Sequence, residues 1–153
     1  MGGGAVRVSV SAAITKRMSS RFTLEAHVDV PSGVTILFGA SGSGKSTILR
    51  CLAGLVRPDG GHITINDRPV FDARARVNLP PQRRNVGYVF QQLALFPHMT
   101  VAGNIAYGLD RLPPADRRER VRAIAESFRI ADLLHRRPTD ISGGERQRAA
   151  LAR

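Results

Sequence analysis

The stretch Gly39-Ala40-Ser41-Gly42-Ser43-Gly44-Lys45-Ser46-Thr47 constrains this chain more than any other. It fits the pattern of glycine, four residues, Gly-Lys and then Ser or Thr, in which a loop between a strand and a helix wraps phosphate groups. Its surroundings agree. Just before it, Val34-Thr35-Ile36-Leu37-Phe38 is a nearly continuous apolar run, the form of a strand buried on both faces, usually in a parallel sheet. Just after it, Ser46 to Leu55 has helical spacing, closed by Gly54 and the turn Pro58-Asp59-Gly60-Gly61. Gly39, Gly42 and Gly44 permit backbone conformations that a Cβ would obstruct, so successive amides can point at phosphate oxygens. The helix behind them adds its partly positive N-terminus. In this pattern Lys45 reaches the β- and γ-phosphates and the Ser46 hydroxyl ligates Mg²⁺, with Ala40, Ser41, Ser43 and Thr47 completing the loop. The plainer alternative is a glycine-rich turn carrying an exposed lysine.

Composition bounds the rest. A chain of 153 residues with 42% hydrophobic residues can form one ordinary globular domain and is too apolar for a disordered tail. Lys and Arg number 23 against 12 Asp and Glu, a formal net charge of +11, which raises nucleic acid as a partner. Only Lys16 and Lys45 are lysines, however, and the arginines run from Arg7 to Arg153 without a dense block, as expected of solvated faces. Cys51 is the only cysteine, so an intramolecular disulfide and a cysteine-based zinc site are excluded. It lies in the apolar run Ile48 to Ala53 and reads as a small buried thiol. The N-terminus carries no basic segment followed by an apolar one, and nowhere do 18 apolar residues run together. The chain therefore reads as cytoplasmic and soluble, with any membrane connection made through a partner.

Val6-Arg7-Val8-Ser9-Val10-Ser11 and Phe22 to Val30 alternate with period two and predict half-buried strands. His62 to Ile65 and Arg68 to Phe71, joined by Asn66-Asp67, predict a small hairpin, and Val86 to Phe90 a further short apolar strand. Beyond Gln91 the pattern turns helical. Thr100 can cap a helix running to about Leu109, and Pro113-Pro114 opens another in which Val121, Ile124, Ala125 and Phe128 share a face. The opposite face, with Arg117, Arg118, Glu119, Arg120 and Arg122, reads as solvated.

Ile141-Ser142-Gly143-Gly144-Glu145-Arg146-Gln147-Arg148 opens a last helix that is still running at Arg153. Ser142 and Glu145 form a capping box, which needs no ligand. A capping box does not need Gly143-Gly144 inside it, where each glycine costs about 1 kcal/mol of helix propensity relative to Ala. Bare amides at a helix start suit a phosphate. This stretch alone leaves both readings open.

Together the stretches resemble the ATP-binding subunit of an ABC transporter: the loop Gly39 to Thr47, Gln91 closing Tyr88-Val89-Phe90-Gln91-Gln92, and Ile141-Ser142-Gly143-Gly144-Glu145. The linking text Leu95-Phe96-Pro97-His98-Met99-Thr100-Val101 and Asn104 to Leu109 is similar to bacterial importer members, and Leu79 to Gln91 most resembles the molybdate-importer ATPases. The resemblance implies an α/β fold, a P-loop NTPase core with an N-terminal antiparallel β region and a helical subdomain, the C-terminal part of the core being missing. The implied parts are the core at 1–91, the helical subdomain at 92–140, and the signature with the start of its helix at 141–153.

The same resemblance implies that two ATPase subunits enclose ATP and Mg²⁺, with Gly39 to Thr47 holding the phosphates of one nucleotide. Ser142, Gly143, Gly144 and Glu145 would face the γ-phosphate of the ATP held by the other subunit. Lys45 and Gln91 would serve catalysis, and Ser46 and Gln91 the metal. Gln91 would also orient the attacking water and link nucleotide state to the helical region that docks on a transmembrane permease. The subunit would sit on the inner face of the cell membrane through that permease, energising uptake of molybdate or another oxyanion, with no nucleic acid expected. His98 reads as a surface loop residue.

Several features depart from the family pattern. Glu145 stands where Gln is commoner and Ile141 where Leu is commoner. The family usually offers an aromatic residue to adenine in the N-terminal strand region, but Ile14 to Arg17 has none and Phe22 reads as lying too deep in the second strand. The segments that supply an apolar strand with a magnesium-associated Asp, a water-activating Glu and a switch His would follow Arg153. The chain is therefore expected to be an N-terminal fragment that binds nucleotide weakly and does not hydrolyse it at a useful rate, because phosphoryl transfer needs water, metal and phosphates placed together. It is also expected to be poorly soluble, with an unpaired apolar edge at Val34 to Phe38. The alternatives are a nucleic-acid-linked ATPase of the same superfamily, whose usual coiled-coil or zinc insertions are not seen in this sequence, and a catalytically inert nucleotide-binding fragment.

Overall fold

The computed structural model describes residues 9–153, so half of the expected strand at Val6 to Ser11 lies outside the described residues, while Val10 and Ser11 are in a strand. The chain divides into two compact units between Gly87 and Tyr88.

The first unit is built on a five-stranded antiparallel sheet in the order β2-β1-β3-β4-β5. The strands are β1 (Val10–Arg17), β2 (Thr23–Val30), β3 (Gly60–Ile65), β4 (Arg68–Asp72) and β5 (Val77–Asn78), with helix α1 (Lys45–Ala53) between β2 and β3. In β1 the core contacts are made by Ala12 and Ile14, and the small alanines hide the alternation that larger side chains would have made legible. The β3–β4 hairpin matches expectation. Asn66 and Asp67 take φ of +50° and +59°, the paired left-handed conformation of a tight turn whose twist suits two antiparallel strands. One core gathers Ala12, Ile14, Ile63, Ile65, Val70 and Phe71 from the sheet with Cys51 from α1.

Two expected strands do not form. Val34 to Phe38 and Val86 to Phe90 carry no ladder, and Val34, Ile36 and Phe38 are 94%, 82% and 97% exposed. A run without a polar face joins a sheet stably only when both faces are covered and a neighbour supplies backbone partners. The described residues supply neither to these segments, so they stay extended and irregular.

The second unit is helical. It comprises α2 (Val101–Ala106), α3 (Pro114–Ser127) and α4 (Gly143–Ala152) around Val101, Ile105, Val121, Ala125, Ile130, Ala149 and Ala152. Thr100 caps α2 as expected, its hydroxyl accepting from the Gly103 amide at 3.1 Å, but the helix ends at Ala106, short of Leu109. Asn104, fully buried in α2, binds the preceding loop: its Oδ1 accepts from the Phe96 amide at 2.8 Å. Its Nδ2 donates to the carbonyls of Phe96 and Thr100 at 3.1 and 3.0 Å. His98 in that loop is exposed, as expected. Among the described residues no helix is long and apolar enough to cross a membrane.

The bare segment at Val34 to Phe38 makes a measurable surface. Phe38→Ser is expected to reduce binding of the dye anilinonaphthalene sulfonate and to extend the concentration range over which the chain is monomeric in gel filtration. Unchanged dye binding would mean that the accessible apolar surface lies elsewhere.

Candidate nucleotide-binding site

The first unit carries the glycine-rich loop on an exposed surface, from Gly39 to Ser43, running straight into α1. Gly42 and Gly44 take φ of +81° and +94°. At Gly44 a side chain is doubly excluded, since its Cβ would also lie 2.8 Å from Leu24 Cδ1. Leu24 of β2 thus backs the point where loop becomes helix. The first helical bond joins the Ile48 amide to the Gly44 carbonyl at 2.9 Å. The amides of Lys45, Ser46 and Thr47 precede that bond and have no partner within α1, the ordinary state of a helix start.

Lys45 folds back over the loop. Its ammonium donates to the carbonyls of Gly39 at 2.8 Å and Ala40 at 2.6 Å and approaches Ser43 Oγ at 3.4 Å. Bare amides, a helix dipole and one ammonium are thus gathered at the start of α1, with the exposed Ser46 in its first turn. Ser41 and Gly42 form a turn, closed by the Ser43 amide on the Ala40 carbonyl at 3.3 Å, and Thr47 is half-buried. Among the described residues no group of three or more His, Cys, Asp or Glu is arranged to hold a metal ion.

Phe22 is not deep in the second strand. It precedes β2, lies in the β1–β2 turn and is 43% exposed. Its carbonyl accepts from the amides of Met18 and Ser19 at 2.9 and 3.1 Å, and its amide donates to Ser19 Oγ at 3.1 Å. It stands two residues before Leu24, the β2 residue that meets Gly44. The alternation of β2 was visible in the sequence, but the turn that ends it was not.

The second unit carries the other candidates. Gln91 is exposed, in a turn in which Leu93 and Ala94 take φ of +59° and +48°. The Arg153 guanidinium donates to the Ala94 carbonyl and lies 4.3 Å from the centre of the Phe96 ring. Ser142 to Glu145 form the opposite end of α4, about 15 Å away at 1.5 Å per helical residue.

The capping box is present. The Ser142 amide donates to Glu145 Oε2 at 2.7 Å and the Glu145 amide to Ser142 Oγ at 3.4 Å. These bonds leave the amides of Gly143 and Gly144 uncapped. Among the described residues nothing demands glycine there: neither position has a left-handed φ, and a Cβ would meet nothing nearer than Arg148 Nη1 at 3.8 Å and Arg146 Nη2 at 3.9 Å. Two glycines that cost helix propensity without relieving a clash leave open backbone for something approaching from outside.

The second unit also holds a groove of about 530 Å³ between α2 and α3. Ala102, Ala106, Val121 and Leu134 line it with apolar surface, and Arg117, Arg118 and Arg122 stand along it.

A glycine-rich loop opening a helix beside an antiparallel sheet, with a helical unit that starts a second helix on bare glycine amides, defines an α/β protein of the P-loop NTPase class. Residues 25–153 match the ABC transporter family, and the chain belongs to it. It is 44% identical over 90% of its length to the molybdenum import ATP-binding protein ModC of Paramagnetospirillum magneticum, covering 38% of that protein. It is 49% identical over 79% of its length to the protein of the same name from Rhodospirillum rubrum, covering 33% of it. The chain thus spans little more than a third of these curated relatives. Among solved structures, its fold matches cbiO1 of Clostridium perfringens, part of the ABC transporter complex cbiONQ. The TM-score is 0.77 at 23% identity, over 94% of this chain and 59% of that one. It also matches the ATP-binding cassette MJ0796, a dimer in a post-hydrolysis state bound to ADP and Pi. There the TM-score is 0.70 at 26% identity, over 94% of this chain and 67% of that one.

Glu145 offers a test of the cap. The hydrogen bond from the Ser142 amide holds its carboxyl below the ordinary value of 4.5. A depressed folded pKa means that the cap's contribution is fully present above the unfolded value and fades as pH falls through the folded one. The stability difference between the wild type and Glu145→Gln, read by thermal melts, is therefore expected to be largest near neutrality and to vanish in acid. A difference independent of pH would show that the carboxylate charge is irrelevant to the cap.

Proposed function

We propose that this protein is the ATP-binding and ATP-hydrolysing subunit of a bacterial importer, taking up molybdate or a related oxyanion. The observation that carries the reading is the loop Gly39 to Ser46, exposed from Gly39 to Ser43, over which the Lys45 ammonium folds beside the uncapped amides of α1. Triphosphate oxygens would replace the Gly39 and Ala40 carbonyls as partners of Lys45 and accept from the amides of α1. The donors present suit the metal as well, since a hydroxyl beside phosphate oxygens is the oxygen set that Mg²⁺ takes while keeping several waters. Ser46 is assigned to the metal, and Gln91 to the metal and the attacking water. Bound Mg²⁺ supplies charge neutralisation at the β- and γ-phosphates.

Gly143 and Gly144, with Ser142 and Glu145 bracketing them, are assigned to the γ-phosphate of ATP held by a second subunit. Their uncapped amides support this role. Phe22, exposed beyond the Leu24–Gly44 contact, is assigned to the adenine face. The groove between α2 and α3 is assigned to a membrane permease, which would hold the subunit on the inner face of the membrane. Its apolar lining and arginines suit a short amphipathic helix with acidic residues. The names of the relatives favour import over a nucleic-acid-linked role and are the support for molybdate.

Titration calorimetry with Mg-ATP tests the site directly. The wild-type chain is expected to bind, Lys45→Ala to lose about tenfold or more in affinity through loss of charge-assisted bonds to phosphate, and Phe22→Ala to lose affinity for ATP while binding inorganic triphosphate unchanged. Equal binding by the wild type and Lys45→Ala would overturn the reading.

A further inference from the structure

Arg84 is a charged residue built into the core of the first unit. It is 3% exposed, and the ion pairs among the described residues, Lys16–Asp59 and Arg117–Asp110, do not include it. Backbone carbonyls and one amide oxygen surround its guanidinium instead. Nε donates to the Leu79 carbonyl at 2.8 Å, Nη1 to the carbonyls of Cys51 at 2.8 Å and Leu52 at 3.1 Å, and Nη2 to Asn78 Oδ1 at 3.1 Å. Cys51 and Leu52 stand in the last turn of α1, at the negative end of the helix dipole, and the Cys51 carbonyl also accepts from the Gly54 amide at 3.1 Å. Gly54 is shaped to the same contact: its φ is +79°, and a Cβ there would lie 2.6 Å from Arg84 Nε.

Only Ile48, Cys51 and Ala53 of α1 are buried, while its first turn opens on the exposed loop. Apolar contacts are non-directional and leave a short helix free to slide and roll by small amounts. The forked bonds of a guanidinium are directional and fix both. We propose that Arg84 is a positioning residue for the phosphate site: by holding the Cys51 and Leu52 carbonyls it fixes α1 along its axis and in roll. It thereby aims the amides, Lys45 and Ser46 at the other end. This rests on the reading that the start of α1 holds phosphate.

Cys51 supplies a built-in reporter, being the only cysteine, fully buried and at the anchored end of α1. Its rate of modification by a thiol reagent reads the opening of that end. If the two ends are coupled, Mg-ATP bound at the start of α1 slows modification of Cys51 in the wild type by about fivefold or more, by reciprocity of linked equilibria. In Arg84→Lys, which keeps the charge and loses the fork, and in Arg84→Met, the protection disappears and Mg-ATP affinity falls about tenfold. Val70→Ala, in the core of β4, serves as the control for lost stability alone and is expected to keep both affinity and protection. Arginine variants that fold but retain wild-type affinity and protection would overturn the proposal. If neither variant folds, the wild-type chain decides, since a modification rate unaffected by saturating Mg-ATP overturns it equally. Equal Mg-ATP binding by the wild type and Lys45→Ala would instead discard the phosphate reading and leave the anchor as structure only.

Discussion

A helix whose amide end is left bare is not secured at that end, and α1 is built under this constraint. It has nine residues, below the length of about 12–15 at which an isolated helix becomes even marginal in water, so it persists only through what holds its far half. Gly44 starts it and Gly54 ends it, both in left-handed conformations that a Cβ would strain. Between them Ile48, Cys51 and Ala53 give it a buried flank, and Arg84 donates to the Cys51 and Leu52 carbonyls of its last turn. Burying a guanidinium is costly unless its hydrogen bonds are met, and here acceptors on α1 and on the segment 78–79 meet them.

The helical unit repeats this division of labour with different residues. α4 presents bare glycine amides at its start, while its end is tied to the loop after Gln91 through Arg153. Leu93 and Ala94 occupy a left-handed region that costs an L-residue roughly 1–2 kcal/mol each, so that loop needs external support. Arg153 on the Ala94 carbonyl and over the Phe96 ring, and Asn104 on the backbone of Phe96, provide it. In each unit a buried or stacked polar side chain fixes the backbone next to a segment left open to solvent.

Local signals were readable where the determining residues lie within a turn of one another. Thr100 with Gly103, Ser142 with Glu145, and Asn66-Asp67 between alternating runs each act over four residues or fewer, and the caps and the hairpin form where they predict. The apolar runs Val34 to Phe38 and Val86 to Phe90 misled because they record a demand for partners without supplying them. Phe22 misled because alternation continues through it, whereas the Ser19 hydroxyl and the amides of Met18 and Ser19 turn the chain there.

By itself the sequence determined the phosphate-loop pattern, a helix just after it, another starting at Ser142, and the family to which these belong, because backbone freedom and capping are properties of neighbouring residues. Only the tertiary structure decided what Arg84, Asn104 and Arg153 do. Arg84 reaches a carbonyl 33 residues away and Arg153 one 59 residues away, and neither spacing leaves a mark on local composition or period. Arg84 and Arg83 stand side by side in the sequence, yet the first is buried on the end of α1 and the second is exposed. What separates them is which way each side chain leaves the short turn at Pro81–Arg83, with Arg84 reaching the Cys51 and Leu52 carbonyls in the last turn of α1.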